Sequence, residues 1–354
     1  MSNQLMAQLA QSHVVSVCGA SAAVAAIMTI CLPSPLAAED FYAGKRITYI
    51  ASGSVGGGYD LLARTTARHL GRHIPGNPTF IVQNMSSGSL VVPNFMFSTA
   101  PKDGTTIALV QRTMLLAMLT HPTGVRFDIA KFNWLGSLND ETGVTLAWHT
   151  APHKTAKDLF EKDLIVGSVG AGSGAEATSK LYNSLLGTRF KVVTGYKGTP
   201  QMALALERGE VQGIGDWAWS SIKAQRPDWL RDKKITLLMQ GALKRNPELG
   251  NLPFALDFIK NDADRKVFEL HFTPKTAARP VITPPGVPAD RVAILRKAFA
   301  MLAHDKEFLA DVQKSKVEFD FVPGEEIDKI VTLISATPPD IAHRFAKAFG
   351  SDNR

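Results

Sequence analysis

Cysteine is nearly absent: the 354 residues hold two, Cys18 and Cys31, both within the first 31 positions. A chain cleaved after residue 38 would carry none, which excludes a disulfide scaffold, a thiol nucleophile and a cysteine metal site together. Charge is missing from the same stretch. Between Met1 and Ala38 there is no Asp, Glu, Lys or Arg, and Val14 to Leu32 is almost unbroken apolar and small sequence closed by Pro33-Ser34-Pro35-Leu36-Ala37-Ala38. That is the pattern of a secretory signal peptide over residues 1–38: an apolar run, a proline break, then small residues before a cleavage site. Its start offers only His13 where a positive charge is usual, and about 20 apolar residues would also serve as a transmembrane anchor. The Ala and Ser content and the lack of flanking charge favour cleavage and export. Val17 and Ile30 stand before the cysteines where a lipoprotein signal wants a small residue, so no lipid anchor is expected.

The nucleotide signatures are missing too. Arg46 to Leu70 reads as strand, glycine loop and helix, with Gly53-Ser54-Val55-Gly56-Gly57-Gly58-Tyr59-Asp60 at the turn. A P-loop would place Lys and a hydroxyl where Tyr59 and Asp60 stand, and a dinucleotide loop would need glycine where Val55 stands. Bare N–H groups at a helix start still make an anion site, and a small carboxylate suits it better than a phosphate beside Asp60.

Clustered basic residues are also lacking. The excess of 39 Lys and Arg over 32 Asp and Glu gives +7, but Arg64-Arg68-Arg72 and Arg231-Asp232-Lys233-Lys234 are short or mixed, so no nucleic-acid partner is expected. His69 and His73 share a helix face without the acid that would complete a metal motif, and neither metal nor cofactor is expected. At 45% hydrophobic content the chain can bury a core in two domains.

What is present is a repeated strand-loop-helix grammar. Thr79 to Val82 and Thr106 to Val110 follow the first unit as strands, with Met85-Ser86-Ser87-Gly88-Ser89 between them. The second half repeats the pattern: Leu164 to Val166 leads into the loop Gly167 to Gly174, and Arg189 to Val193 into Thr194-Gly195-Tyr196-Lys197-Gly198-Thr199. Glu210 to Gly215 then runs to Asp216-Trp217-Ala218-Trp219. Such crossovers build parallel sheets with ligands at the carboxyl ends of the strands, and two such lobes can close on a cleft. Further on, Phe268 to Phe272 reads as a strand and Pro280 to Pro288 as a stiff connector. Asp290 to Ala303, Glu325 to Ser335 and Asp340 to Phe349 read as helices.

Taken in order, Gly44-Lys45-Arg46-Ile47, Gly56 to Arg64, Val82 to Met85, Ala100 to Thr105, Tyr196 to Pro200 with Gly209-Glu210-Val211, and Pro284 to Asp290 give the chain a family resemblance. It resembles the extracytoplasmic solute receptors of the tripartite tricarboxylate transporter family, often called Bug receptors, over about the whole mature chain. The resemblance implies an α/β type II periplasmic-binding-protein fold, a Venus flytrap of two parallel-sheet lobes joined by crossing strands: lobe 1 from 39–143 plus 282–354, lobe 2 from 144–281. It also implies a monomeric, periplasmic, non-catalytic receptor that closes on a small organic carboxylate and delivers it to the membrane subunits of a transporter. By position it assigns ligand binding to Gly56, Gly57, Gly58 and Asp60, to Ser86, Ser87, Gly88 and Ser89, to Ser168, Gly172 and Ser173, and to Gly195, Tyr196 and Asp216. The chain departs from the family at Ser52-Gly53-Ser54-Val55, at Ser86-Ser87-Gly88-Ser89, and in carrying Trp217 and Trp219 beside Asp216, which could stack on an aromatic acid.

The residues leave several roles open. Asp60 can cap its helix and pair with Arg64, or orient a ligand; Asp216 can cap a helix before Trp217 or touch the ligand. Of the alternating Trp217 and Trp219, one at most faces the cleft. Arg112, just past the third strand, could meet a second ligand carboxylate, while Lys197 reads as solvated. Ser173 lies off the Gly-x-Ser-x-Gly frame of a nucleophile elbow, so a secreted enzyme using the glycine loops as an oxyanion site lacks its nucleophile and base. A sensory adaptor binding the same ligands is the remaining alternative.

Overall fold

The structure is a computed structural model that describes residues 41–85, 89–170 and 172–350. The signal segment with both cysteines, and Ser86, Ser87 and Gly88, lie outside the described residues. Among the described residues no helix is long and apolar enough to cross a membrane.

Two sheets organise the chain. The first contains β1 (Arg46–Ser52), β2 (Thr79–Met85), β3 (Thr106–Leu109), β4 (Asn133–Ser137), β10 (Pro280–Thr283) and β11 (Val322–Pro323), in the order β11-β4-β10-β3-β1-β2. The second contains β5 (Gly143–Trp148), β6 (Leu164–Ser168), β7 (Phe190–Thr194), β8 (Gly213–Ala218) and β9 (Ile235–Gly241), ordered β7-β6-β8-β5-β9. The three strands on one side of each sheet pair in parallel, as the strand-loop-helix grammar predicts. The remaining strands run antiparallel, so both sheets are mixed.

Helices follow the strands that the glycine loops end. These are α1 (Gly58–Leu70), α2 (Val91–Ser98), α3 (Gly174–Leu181), α4 (Thr199–Glu207) and α5 (Trp219–Gln225). In the later chain come α6 (Asp262–Phe272), α7 (Ala289–Leu302), α8 (Lys306–Lys314), α9 (Gly324–Ser335) and α10 (Pro339–Phe349). The expected strand at Phe268 to Phe272 is instead the last part of α6. Alternating Phe268, Leu270 and Phe272 imitate a two-residue period, but Val267, Phe268, His271 and Phe272 are buried at helical spacing, and the Asn261 side chain caps the start by accepting from Asp264 N–H. The connector from Pro280 contains β10, whose proline stands at the first strand position and costs no ladder donor there.

Three apolar layers result. One face of the first sheet packs Ile47, Tyr49 and Leu109 against α1, α7 and α8 through Leu62, Phe299 and Phe308. An outer face of the second sheet packs Ile214, Trp217 and Trp229. Between them a continuous core runs from Ile50 and Ala108 of the first sheet to Val166 and Leu238 of the second, covered by Phe268 and Phe272 of α6 and Phe345 of α10.

The chain crosses between lobes at residues 138–142 and 273–279, side by side. Leu138 N–H donates to Arg279 O (3.1 Å), Ala278 N–H to Asn139 O (2.9 Å) and Glu141 N–H to Lys275 O (2.9 Å). Because Phe345 is fully buried between α6 and this core, Phe345→Ala leaves a cavity and is expected to cost about 3–5 kcal/mol. Equilibrium urea unfolding measures that loss.

Candidate ligand-binding site

The loop after β1 and the loop after β6 are built alike. Gly56 and Gly172 both take left-handed backbone (φ 77° and 76°), where a side chain would be strained. Each donates its N–H to an acid four residues on: Gly56 to Asp60 Oδ2 and Gly172 to Glu176 Oε2, both at 2.8 Å. Each acid in turn pairs with a base one helical turn later, Asp60 with Arg64 and Glu176 with Lys180, again at 2.8 Å. The acid ties the loop back to the helix start; α1 carries no side-chain cap, and α3 is capped by Ser173 Oγ accepting from Glu176 N–H.

These helix starts meet across a cavity of about 110 Å3. Its wall takes Gly57 and Gly58 from α1, Ser173, Gly174 and Ala175 from α3, Gly198 and Thr199 from α4, and Ala218 and Ser221 from the start of α5. Gly57, Gly198 and Ala218, the residues before α1, α4 and α5, provide no side-chain cap, so backbone donors remain for an acceptor in the cavity. The lobes touch here: a methyl on Gly198 would overlap Ser54, and one on Gly58 would lie 2.7 Å from Ser221 Oγ. Tyr59, Val169, Met202 and Trp217 supply the apolar part of the wall.

The floor is ionic. Arg112 donates to Glu141 Oε1 (2.8 Å) on one crossing segment and to Asp216 Oδ2 (3.0 Å) at the end of β8. Lys275 donates to Asp216 Oδ1 (2.9 Å) and Gly241 O (2.8 Å). Arg279 pairs with Glu141 Oε2 (3.1 Å), donates to Ser221 Oγ (3.2 Å) and lies over the Tyr59 ring (4.2 Å). Burial works against the Arg112 charge, but Glu141 and Asp216 outweigh it and hold the guanidinium above its ordinary value. Burial likewise disfavours ionised Asp216, and Lys275 with Arg112 overcome it, so that carboxyl lies below its ordinary range. Behind the floor, Thr178 Oγ1 joins Asp216 Oδ2 (3.1 Å) to His271 Nε2 (2.9 Å).

Of the residues singled out in the sequence, Gly57, Gly58, Ser173 and Asp216 line the cavity. Gly56 and Asp60 shape the loop from behind. Ser168 lies beneath it, its Oγ 2.7 Å from Ser173 Oγ. Gly172 approaches the buried Ser89 outside the main cavity. Gly195 is exposed and Tyr196 packs beside Gly167, so the neighbouring Gly198 and Thr199 take their place at the wall. Asp216 lies within β8 and does not cap a helix. Trp217 lines the cavity, edge-on to Trp229 at 5.8 Å, whereas Trp219 turns away and donates to Glu248. His69 and His73 are joined to Asp311 (2.9 Å) and Asp305 (2.7 Å), and no metal-holding cluster occurs among the described residues. Sequence reasoning missed Ser52, Ser54, Glu141, Lys275 and Arg279. The two serines flank a glycine in the first loop, but the three hinge residues carry no local signal.

His271 gives this site a pH signature. Burial, with Lys275 adding to it, pushes the imidazole from 6.5 down to about 3. Between those values the unfolded chain binds a proton that the folded chain does not, so stability is present above pH 6.5 and is lost as pH falls toward 3. The expected slope from this group is up to about 1.4 kcal/mol per pH unit. Urea unfolding of wild type and His271→Gln across that range checks it: the variant's slope should be shallower.

Residues 62–313 match the family described as "Tripartite tricarboxylate transporter family receptor". No curated protein sequence matches. Among solved structures, the periplasmic binding protein BugD is similar with a TM-score of 0.67 at 20% identity, over 87% of this chain and 98% of that one. MatC of Rhodopseudomonas palustris, solved with malate, gives 0.63 at 20% identity over 86% and 99%. A protein of R. palustris solved with adipate gives 0.63 at 20% over 86% and 97%. The two-lobe fold is shared with these solute-binding proteins, and the chain belongs to the tripartite tricarboxylate transporter receptor family.

Proposed function

We propose that the chain is a periplasmic receptor, exported by cleavage of the 1–38 segment, that captures a small organic carboxylate and delivers it to the membrane subunits of a tripartite tricarboxylate-type transporter. The observation that carries this reading is the meeting of uncapped helix starts from both lobes over a buried cationic floor. Such donors favour an anion and form one surface only when the lobes are together. The malate and adipate held by related receptors are of the size and charge this cavity would accept.

In this reading Gly57, Gly58, Ser173, Gly174 and Thr199 hold the carboxylate, and Arg112 and Asp216 set the floor. Gly56, Asp60, Gly172 and Ser168 act through loop shape, and Ser86, Ser87, Gly88 and Ser89 are proposed as ligand contacts on the family resemblance alone. Lobe 1 (39–143 with 282–354) and lobe 2 (144–281) move about the two crossing segments. The chemistry is binding: among the described residues the cavity wall holds no serine or threonine hydrogen-bonded to a histidine.

Thermal-shift and calorimetric titration with aliphatic di- and tricarboxylates, amino acids and aromatic acids tests the reading. At least one acid is expected to bind saturably at one per chain and raise the melting temperature; response to none contradicts it. Gly174→Ala places a methyl 3.0 Å from Arg112 Nη2 and 3.1 Å from Asp216 Oδ2. The methyl crowds the Arg112–Asp216 pair, so affinity for the acid found should fall roughly tenfold, about 1.4 kcal/mol.

A further inference from the structure

Among the buried charged side chains at the hinge, exposed Asp140 aside, the signs do not balance. Arg112, Lys275 and Arg279 bring three positive charges, and Glu141 and Asp216 bring two negative ones. Both carboxylates are ion-paired, Asp216 through hydrogen bonds at both oxygens and Glu141 Oε2 by proximity to Arg279 without a hydrogen bond. Asp216 Oδ1 accepts from Lys275 and its Oδ2 from Arg112 and Thr178, while Glu141 Oε1 pairs with Arg112 and its Oε2 with Arg279. The neighbours that could titrate stay neutral: burial holds the His271 imidazole unprotonated and raises the Tyr182 phenol. Arg112, Glu141, Asp216 and Arg279 all face the cavity, and at about 110 Å3 it keeps every atom of a small ligand near them.

We propose that this surplus positive charge selects the ligand by the charge of its second polar group. The cavity takes carboxylates whose other polar groups are oxygen acceptors, and rejects their ammonium-bearing counterparts. The inference rests on the receptor reading above and adds its substrate class. An ammonium group entering the cavity meets guanidinium groups and finds every carboxylate oxygen already beside a cation. A like charge within about 6 Å at an effective dielectric near 20 disfavours binding by roughly tenfold or more. An oxygen acceptor meets the unused guanidinium N–H groups and helix starts instead.

Matched pairs that differ only at one substituent test this: malate with aspartate, 2-hydroxyadipate with 2-aminoadipate, and phenyllactate with phenylalanine, each titrated calorimetrically into the full chain. The hydroxy acid of at least one pair should bind at least tenfold tighter than its amino partner. Lys275→Met brings the cluster to neutrality without changing a residue of the main cavity wall, and should shrink that ratio to about threefold or less. Adding Asp216→Asn to Lys275→Met restores the surplus and should restore the ratio. If Lys275→Met fails to fold, the wild-type ratio decides alone. An amino acid that binds as tightly as its hydroxy partner, or a ratio indifferent to Lys275→Met, overturns the charge inference and leaves the receptor standing. Binding of none of the six overturns the charge inference, and the receptor reading falls with it only if the wider panel above also gives no response.

Discussion

Arg112 leaves the end of β3 in one lobe and donates to Glu141 on a crossing segment and to Asp216 in the other lobe. Around that guanidinium the cleft is assembled: Asp216 holds Lys275, Glu141 holds Arg279, and Arg279 in turn lies on Tyr59 at the start of α1. Buried pairs of this kind contribute little net stability, but removing one partner strands a charge at a cost of about 3–5 kcal/mol. Their value here is geometric. They fix where β3, β8 and the two crossing segments end, and therefore where the helix starts that line the cavity must lie.

The two glycine loops answer a second constraint. A helix start can offer its N–H groups to a ligand only if nothing in the protein takes them first. At Gly56-Asp60-Arg64 and at Gly172-Glu176-Lys180 the same spacing recurs, with the acid accepting from the loop glycine behind the helix start; α1 has no side-chain cap, while Ser173 caps α3 through Glu176 N–H. Asp60 is thus both helix partner and loop anchor, and it lies behind the loop rather than on the cavity wall.

Much of this was legible in the chain. Glycine loops between β-branched runs marked β1, β2, β6 and β7 with the helices that follow, because turn chemistry and periodicity are local properties. The antiparallel strands β4, β5, β9 and β10 were not read: Asn133 to Ser137 and Gly143 to Trp148 are short, fully or largely buried runs without alternation, and Pro280 disguises a central strand. Phe268 to Phe272 misled for the opposite reason, since alternating phenylalanines on a helix end imitate a strand. The floor was the least visible part. Arg112, Glu141, Asp216 and the Lys275–Arg279 segment lie far apart in sequence, and only the crossing of the two segments brings them together. Trp217 and Trp219 separate at the strand-to-helix junction, which sends one ring to the cavity and the other to Glu248.

A crystal structure of the chain with a bound carboxylate tests the central claim most directly. The account predicts carboxylate oxygens within hydrogen-bond distance of N–H groups at the start of α1 and at the start of α3 or α4, with Arg112 still bridging Glu141 and Asp216 beneath. A ligand seated away from these helix starts, or an Arg112 released from Asp216 in the bound state, would contradict it.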